Sequence, residues 1–490
     1  MRIPSISKSK YLSGLQCPKL LWAHYRAKDW FPPVDAATQA VFDQGHKVGE
    51  LAKRLYPGGV EIEWDPDLRG TVSKTQTLLK QRVPIFEASL LGGGVYARAD
   101  ILKPVAGRQW DVIEVKSSTE VKDVHIHDLA VQRYCYEAAG LSIRRCHLMH
   151  INTEYVLKGE PDPRKLFTCE DVTEQVAAML PEVPSRVQAM QKTIGLDSCP
   201  TVAIGPHCSD PYDCPLTGRC WKAVNDRPHS IFTLYRLGAK KRWALYQQGT
   251  LDSSQIVATT LTGAQTVQVE AERSGKLQVD RPAVRQFLTR LQYPLLFLDF
   301  ETFQTAIPLV QGTRPYQQIP FQFSLHIVAS PRSKPLHFGW IWDGRGSPFG
   351  TLLDQLKQGL PEQGTIVAYN ASFEIGRLRE AAEASPVHKK WVDSITARTV
   401  DLLEPFRGFQ VYHPAQHGSA SIKSVLPALT GQDYSGMAIS DGGMASQAYL
   451  KAFYGDISST EKEQTVKDLE AYCGLDTMAM WDLVQTLGRL

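Results

Sequence analysis

The chain has 490 residues, which at about 150 residues per domain corresponds to about three domains. Hydrophobic residues make up 43% and charged residues 21%, which excludes a largely disordered or collagen-like polymer. The net charge of +3, from 54 basic and 51 acidic residues, neither demands nor excludes a nucleic-acid partner, because local patches decide that. No apolar run approaches the roughly 18–20 residues that span a bilayer. The opening MRIPSISKSKYLSGLQC lacks the continuous apolar stretch of a secretory signal, so a cytoplasmic protein without a membrane partner is expected. Nine cysteines are too few for a disulfide scaffold. Four fall between 199 and 220, and in a reducing compartment such clustering points to metal.

Residues 1–160 mix helical and strand patterns. VYARADIL and WDVIEVKSS are short, apolar and strand-like, joined through Pro104 and Gly107. Strand alternation puts Glu114 and Lys116 on one face and Val115 on the other. An antiparallel pairing would bring Asp100 beside Glu114, where two carboxylates can bind a divalent ion through hard oxygen ligands. The helical stretch HIHDLAVQRYCYEAAG places Gln132 and Tyr136 four apart on one face, within reach of a metal-bound water or a phosphate. A cross-strand Glu114–Lys116 ion pair with Tyr136 in the core is the plainer reading of the same residues.

The ordered set Asp100, Glu114–x–Lys116, Gln132–xxx–Tyr136 resembles the PD-(D/E)XK nuclease superfamily in its RecB-like branch, over residues 5–225. That resemblance implies a restriction-endonuclease-like fold, metal on Asp100 and Glu114, and a Lys116 that orients the attacking water or stabilises charge on the phosphate. RecB-like enzymes often carry a histidine in a GxxxH pattern on an early helix. Here FDQGHKVGELA has Gly45 but Gly49 where that histidine would fall, with His46 out of register. The departure leaves open a one-metal site or an altered metal preference.

Residues 197–228 are rich in Pro, Gly, Asp and Cys and read as irregular loop. Within them Cys208, Cys214 and Cys220 are evenly spaced, each pair separated by five residues. Zinc normally takes CxxC pairs, which are missing, whereas iron–sulfur clusters accept looser spacing and need four thiolates. Cys17, in SGLQCPKLLW, and Cys199 are the two candidates for the fourth. Several RecB-like nucleases, including AddB-type subunits and CRISPR-associated adaptation exonucleases, hold a 4Fe–4S cluster with one N-terminal cysteine and three after the core. The likeness to them implies Cys17, Cys208, Cys214 and Cys220 as cluster ligands. Cys135, Cys146 and Cys169 are assigned to packing.

Residues 226–290 read as a helical bridge, with IFTLYRL and RWALYQQ as helical stretches. RLGAKKRW, Arg236 to Trp243, combines basic groups with an aromatic, which suits either strand contact or a solvated helix face. Residues 291–490 open on the buried strand YPLLFLDF and end on a helical pattern. Period two places Asp299 and Glu301 on one face of a strand whose other residues are nearly all apolar, so these acids must sit at its exposed end. TIVAYNASFEIGRL reads as strand, turn and helix, with Glu374 in the first turn. Tyr472 and Asp476 are four apart on the last helix. Four carboxylates meeting at one place would bind two divalent ions. Asp401 is a further acid that either joins them or caps a helix. GSASIKSVLPAL reads as a capped helix ended near Pro427, whose Lys423 either touches a phosphate or, the plainer reading, is solvated.

The ordered motifs DxE, NxxxE and YxxxD resemble the DnaQ-like exonucleases, on an RNase H-like fold, in the YxxxD subgroup. The second motif of that family ends in Asp, and here it is Glu374, whose longer arm shifts the geometry. The chain as a whole resembles an uncharacterised bacterial family that fuses the two modules, with TRPYQQIPFQFSLHI and GSASIKSVLPAL as its most recognisable passages. The expectation is therefore an α/β protein with three parts: a nuclease domain with iron–sulfur cysteines over 1–225, a bridge over 226–290, and an exonuclease domain over 291–490. It would hydrolyse phosphodiester bonds with Mg²⁺ or Mn²⁺, on DNA foremost with RNA left open, in repair or defence against foreign DNA, with room for a helicase partner. The alternative is a nucleic-acid-binding or assembly protein in which one or both nuclease folds are inactive.

Overall fold

Runs of aliphatic and aromatic residues bounded by turn-formers build a mixed sheet in the first half of the chain. Its strands are β1 (Ile6–Ser7), β2 (Val60–Glu61), β3 (Ile85–Gly92), β4 (Val95–Pro104), β5 (Gln109–Val115), β6 (Ser142–Ile151) and β7 (Phe167–Asp171). Their order is β2-β3-β4-β5-β6-β7, with β1 also pairing β4. The β3–β4 connection turns at Gly93 and Gly94, both at positive φ, which suits residues without a Cβ. β4 and β5 are antiparallel, whereas β5 and β6 are parallel, so the chain must cross over between them. It does so as helix Asp123–Ala138, which buries Leu129, Ala130, Val131, Cys135 and Tyr136 in the core formed with β3 and β4. The structure, a computed structural model, describes residues 5–490.

The second sheet contains β9 (Leu295–Phe303), β10 (Ile319–Val328), β11 (Leu336–Ile341), β12 (Thr365–Ala368) and β13 (Thr399–Asp401), in the order β11-β10-β9-β12-β13. The first three are antiparallel, and β9, β12 and β13 are parallel. A small pair, β8 (Gln278–Val279) with β14 (Val411–Tyr412), stands apart. Helix Ser459–Arg489 begins with a capping box, Ser458 with Glu461, and buries Leu469, Tyr472, Cys473, Asp476 and Met480. The architecture is thus mixed α/β. Among the described residues no helix is long and apolar enough to cross a membrane.

Two compact units emerge: one runs to Lys222 and takes in Thr305–Gln317, and the other comprises Ala223–Gln304 and Gln318–Leu490. Residues 226–290 therefore belong to the second unit rather than standing as a separate bridge. Conversely, the connection between β9 and β10 joins the first unit. There Leu157 donates its N–H to Thr313 O at 3.0 Å, and Gln44 Oε1 accepts the Ala306 N–H at 3.0 Å. Two local expectations are corrected. IFTLYRL forms turns rather than a helix, with Arg236 at φ 48°, while RWALYQQ does fall in helix Ala239–Gln247 apart from its last residue. Pro427 lies inside helix Ile422–Thr430, which ends instead at Gly431 in the left-handed region.

Candidate functional site

In the first unit Ile101 stands opposite Ile113, so Asp100 and Glu114 follow one step further along neighbouring antiparallel strands. Asp100 Oδ2 accepts the Val115 N–H at 2.7 Å. Glu114 is 1% exposed. Its Oε1 accepts from Lys116 Nζ and from Lys8 Nζ, each at 2.7 Å, and its Oε2 accepts from Gln132 Nε2 at 2.8 Å. Asp128 Oδ2 receives Lys116 Nζ at 2.8 Å, and Asp128 Oδ1 lies 3.9 Å from Lys8 Nζ. Asp100, Glu114, Lys116 and Gln132 are thus assembled as the spacing predicted, together with Lys8 and Asp128, which the spacing did not single out. Asp128 had a readable signal, four residues before Gln132 on one helical face. Lys8 had none, lying 106 residues from Glu114.

The charges explain the protonation states. Burial pushes the Asp100 carboxyl up, with Glu114 adding to it, to about 7. Burial would raise Glu114 too, but Lys116 and Lys8 outweigh it and hold Glu114 below the usual carboxylate range. Burial opposes the charge on Lys116 and Lys8, yet Asp128 and then Glu114 raise both. Tyr136 takes another place than expected. Its hydroxyl donates to Ala88 O at 2.6 Å and accepts the Ala99 N–H at 2.8 Å, so it fastens the helix to β3 and β4 and does not face the cluster. His46 is exposed on helix Ala36–Lys53.

Cys17, Cys208, Cys214 and Cys220 line one small pocket, together with Leu20, Leu216 and Trp221. All nine thiols are free. Cys199 packs nearby but does not line the cavity, and its Sγ points to its neighbour's carbonyl, Pro200 O, at 3.6 Å. Segments far apart in sequence are tied together around the four thiols. Gln16 Nε2 donates to His207 O and Tyr212 O at 2.9 and 2.6 Å, Lys19 Nζ to Val202 O at 3.2 Å, and Trp22 Nε1 to Leu196 O at 3.0 Å. Burial raises the Cys214 and Cys220 thiols, and proximity to Cys17 and Cys208 adds to it, a cost that a bound cation would remove. Four thiols from two distant stretches of the chain thus line one pocket.

In the second unit β9 carries Asp299 opposite Ser324 and Glu301 opposite Gln322. The backbone after β12 turns through Asn370 at φ 70°, a conformation asparagine tolerates, with its N–H on Asp401 Oδ1 at 2.9 Å. That turn starts helix Ser372–Ala384 and puts Glu374 in its first turn. Asp299, Glu301, Glu374, Asp476 and Tyr472 then line a single cavity of about 220 Å³, with Asn370 and Lys423. Against four carboxylates that lining offers one cation, Lys423, whose Nζ donates to Ser440 O at 2.6 Å and lies 5.3 Å from the Tyr472 ring. Lys423 is thus half-buried at the acids rather than solvated. Ligand atoms of Asp299, Glu301 and Cys473 lie within 4.8 Å of one another, close enough for one metal ion. Cys473 Sγ is 3.7 Å from Asp299 Oδ2.

Burial dominates here as well. It pushes Asp299 well above the carboxylate range, with Asp476 and Glu301 adding to it. It takes Glu301 to about 8 with help from Asp476, Glu374 to about 8, and Asp476 to about 6, where the Tyr434 hydroxyl and Lys423 hold it back. Tyr434 donates to Asp476 Oδ1 at 2.5 Å. Glu374 Oε2 is buried without a hydrogen-bond partner. Asp401 does not line the cavity. Its Oδ1 accepts the Asn370 and Leu403 N–H groups at 2.9 and 3.0 Å, which ties the turn after β12 to the turn after β13 and caps neither adjoining helix. In RLGAKKRW, Lys241 donates to Thr260 O and Arg242 to Leu237 O, so part of that basic run is tied to local backbone.

Residues 296–421, which include Asp299, Glu301, Glu374 and Asp401, match a domain of unknown function, DUF2779. Curated relatives include the uncharacterized protein MG366 homolog of Mycoplasma pneumoniae, 28% identical over 211 residues, covering 39% of this chain and 32% of that protein. Another is the uncharacterized protein UU173 of Ureaplasma parvum, 26% identical over 240 residues, covering 42% of this chain and 33% of that protein. The chain thus spans about a third of the length of the curated relatives it matches.

Proposed function

We propose that the protein is a metal-dependent nuclease with two modules. The first is a RecB-type PD-(D/E)XK nuclease on a restriction-endonuclease-like fold, with a 4Fe–4S cluster on Cys17, Cys208, Cys214 and Cys220. The second is a DnaQ-type exonuclease on an RNase H-like fold. The observation that carries the reading is the convergence of half-buried Asp299 and buried Glu301, Glu374 and Asp476 on one open cavity, all with raised proton affinity. Carboxylates crowded in this way are unfavourable in a metal-free state and favourable around cations. Divalent ions held there would supply a water activated near neutral pH and a clamp on the leaving oxygen of a phosphodiester. Tyr472, beside Asp476, would orient that water. In the first module Asp100 and Glu114 would hold metal, Gln132 fixes Glu114, and Lys116 directs its ammonium to the charge that develops on phosphorus. DNA is the proposed substrate, RNA remains open, and repair or defence against foreign DNA with a helicase or other partner fits the same chemistry.

One observation favours a second reading for the first module. Both Glu114 oxygens are already engaged, by Lys8 and Lys116 on one and Gln132 on the other, which suits holding nucleic acid without cleavage. The test is cleavage of end-labelled single- and double-stranded DNA in Mg²⁺ and in Mn²⁺ by anaerobically purified wild type, Lys116→Ala and Asp299→Ala. Loss of a distinct product set in each variant supports two catalytic sites. Binding of DNA without cleavage in either metal replaces the nuclease reading with the binding one.

A further inference from the structure

Lys8 is the first residue of helix Lys8–Gln16, and Cys17 is the residue that caps the same helix. One end of this helix therefore delivers an ammonium to Glu114 at 2.7 Å. The other end delivers a thiol to the cysteine cavity. At about 1.5 Å per residue the two groups lie roughly 14 Å apart along one rigid element. Lys8 shares its helical face with Leu12 and Leu15, which pack on the core, while Tyr11 is fully buried. Gly14 allows close approach to helix Val183–Gly195: a Cβ there would come within 2.8 Å of Met190 Sδ. Beyond Lys8 the chain is held by the short β1, with Ile6 N–H on Gly94 O at 3.0 Å. Beyond Gln16 it is held by Cys17 and by Gln16 itself, which bonds His207 O and Tyr212 O on either side of Cys208. Lys116, by contrast, follows β5 directly and takes its place from the sheet, its N–H bonding Met149 O at 2.8 Å.

We propose that Lys8 is a positioning residue of the Asp100–Glu114–Lys116 site, and that helix Lys8–Gln16 makes its place there depend on the thiolate centre at Cys17. The inference rests on the nuclease reading for what the site does, but not for how Lys8 is held. With the thiolates gathered around a metal centre, the helix is fixed at both ends and Lys8 stays on Glu114 and Asp128. With that centre lost, the helix keeps its β1 anchor, its buried face and the Gln16 bonds but loses the tie at Cys17, and Lys8 swings off first while Lys116 remains.

The test is pulse labelling of the full chain with an amine-acetylating reagent, with Lys8 and Lys116 read separately by peptide mass. Three forms are compared: anaerobic wild type, wild type after iron chelation, and Cys17→Ser. The expected result is slow labelling of both lysines in the first form. In the other two, Lys8 labels at least about tenfold faster while Lys116 keeps its protection, the signature of local rather than global opening. Equal protection of Lys8 in all three forms overturns the proposal. So does joint exposure of Lys8 and Lys116, which means that the domain as a whole has loosened, and so does fast labelling of Lys8 in the wild type. Labelling needs no cleavage, so an inactive nuclease leaves the outcome readable, and the Cys17→Ser arm is readable even in a preparation without iron. A parallel DNA-cleavage comparison completes the test. Lys8→Arg restores the metal dependence that Lys8→Ala alters, whereas a purely structural role would leave the metal dependence of Lys8→Ala unchanged and overturn the proposal.

Discussion

Glu301→Gln is predicted to make the metal-free protein more stable and to remove most of its response to divalent ions. Glu301 is 7% exposed, and burial with Asp476 moves its carboxyl from 4.5 to about 8. Between those values the folded chain holds a proton that the unfolded chain has released. Stability therefore falls as pH rises through that window, and the loss is complete above it. At about 1.4 kcal/mol per pKa unit, this carboxylate alone removes roughly 4–5 kcal/mol by about pH 9. An amide of the same shape carries no charge but still has a polar group to bury, at a cost of about 1–3 kcal/mol, so the net gain at high pH is about 1–4 kcal/mol. The assay is thermal or urea unfolding of wild type and variant from about pH 5 to pH 9, in chelator and in millimolar Mg²⁺. Wild type in chelator should lose stability steadily across the range and recover it with Mg²⁺, most at the alkaline end. The variant should be flatter and nearly indifferent to the ion. Wild-type stability that is level or rising from about pH 5 to 8 in chelator would refute the reasoning, as would a variant no more stable than wild type at about pH 9.

Three further outcomes are expected. Tyr136→Phe should cost about 1–3 kcal/mol in urea unfolding, because Ala88 O and Ala99 N–H lose their shared partner, while Mn²⁺ binding at the neighbouring carboxylates stays as it was. Cys214→Ser should lower iron per chain after anaerobic purification, and Cys199→Ser should not, since only the former lines the cavity. Mn²⁺ binding to the first site, followed by electron paramagnetic resonance in an Asp299→Ala background, should strengthen as pH rises through about 7. Asp100 must lose its proton to serve as ligand, and Asp100→Asn should abolish that pH step.

What the sequence disclosed followed from short-range periodicity. Period two put Asp299 with Glu301 and Glu114 with Lys116, and a spacing of four put Tyr472 with Asp476 and Gln132 with its helical neighbours. The burial contrast of LLFLDFETF, acids amid apolar residues, was legible for the same reason. Lys8, 106 residues from Glu114, and Tyr434, 42 residues from Asp476, were not legible, because no local pattern fixes which distant side chain fills a given place. Thr305–Gln317 shows the same limit at a larger scale. It looks like an ordinary connection between two strands, yet its contacts, such as Thr313 O with the Leu157 N–H, lie in the first unit. IFTLYRL misled through composition. Its apolar spacing suits a helix, but the chain turns from Ser230 onward, with Ser230 O accepting the Thr233 N–H at 3.0 Å and Arg236 in the left-handed region.

The two carboxylate clusters solve opposite electrostatic problems. In the first, Asp100, Glu114 and Asp128 meet Lys8 and Lys116, so the protein brings its own cations, and Glu114 stays ionised although it is almost fully buried. In the second, four carboxylates meet a single lysine, and three of them rise to about 6 or 8. A site that carries its own cations is organised before any metal arrives, and its demand on metal is limited to the ion that touches substrate. A site made of acids alone reaches its charged geometry only when ions from solution replace the protons it holds. Occupancy of the second site should therefore depend steeply on both pH and free metal, because proton and metal compete for the same oxygens. Occupancy of the first should depend more on where Lys8 stands, and that is set by a helix whose far end is Cys17.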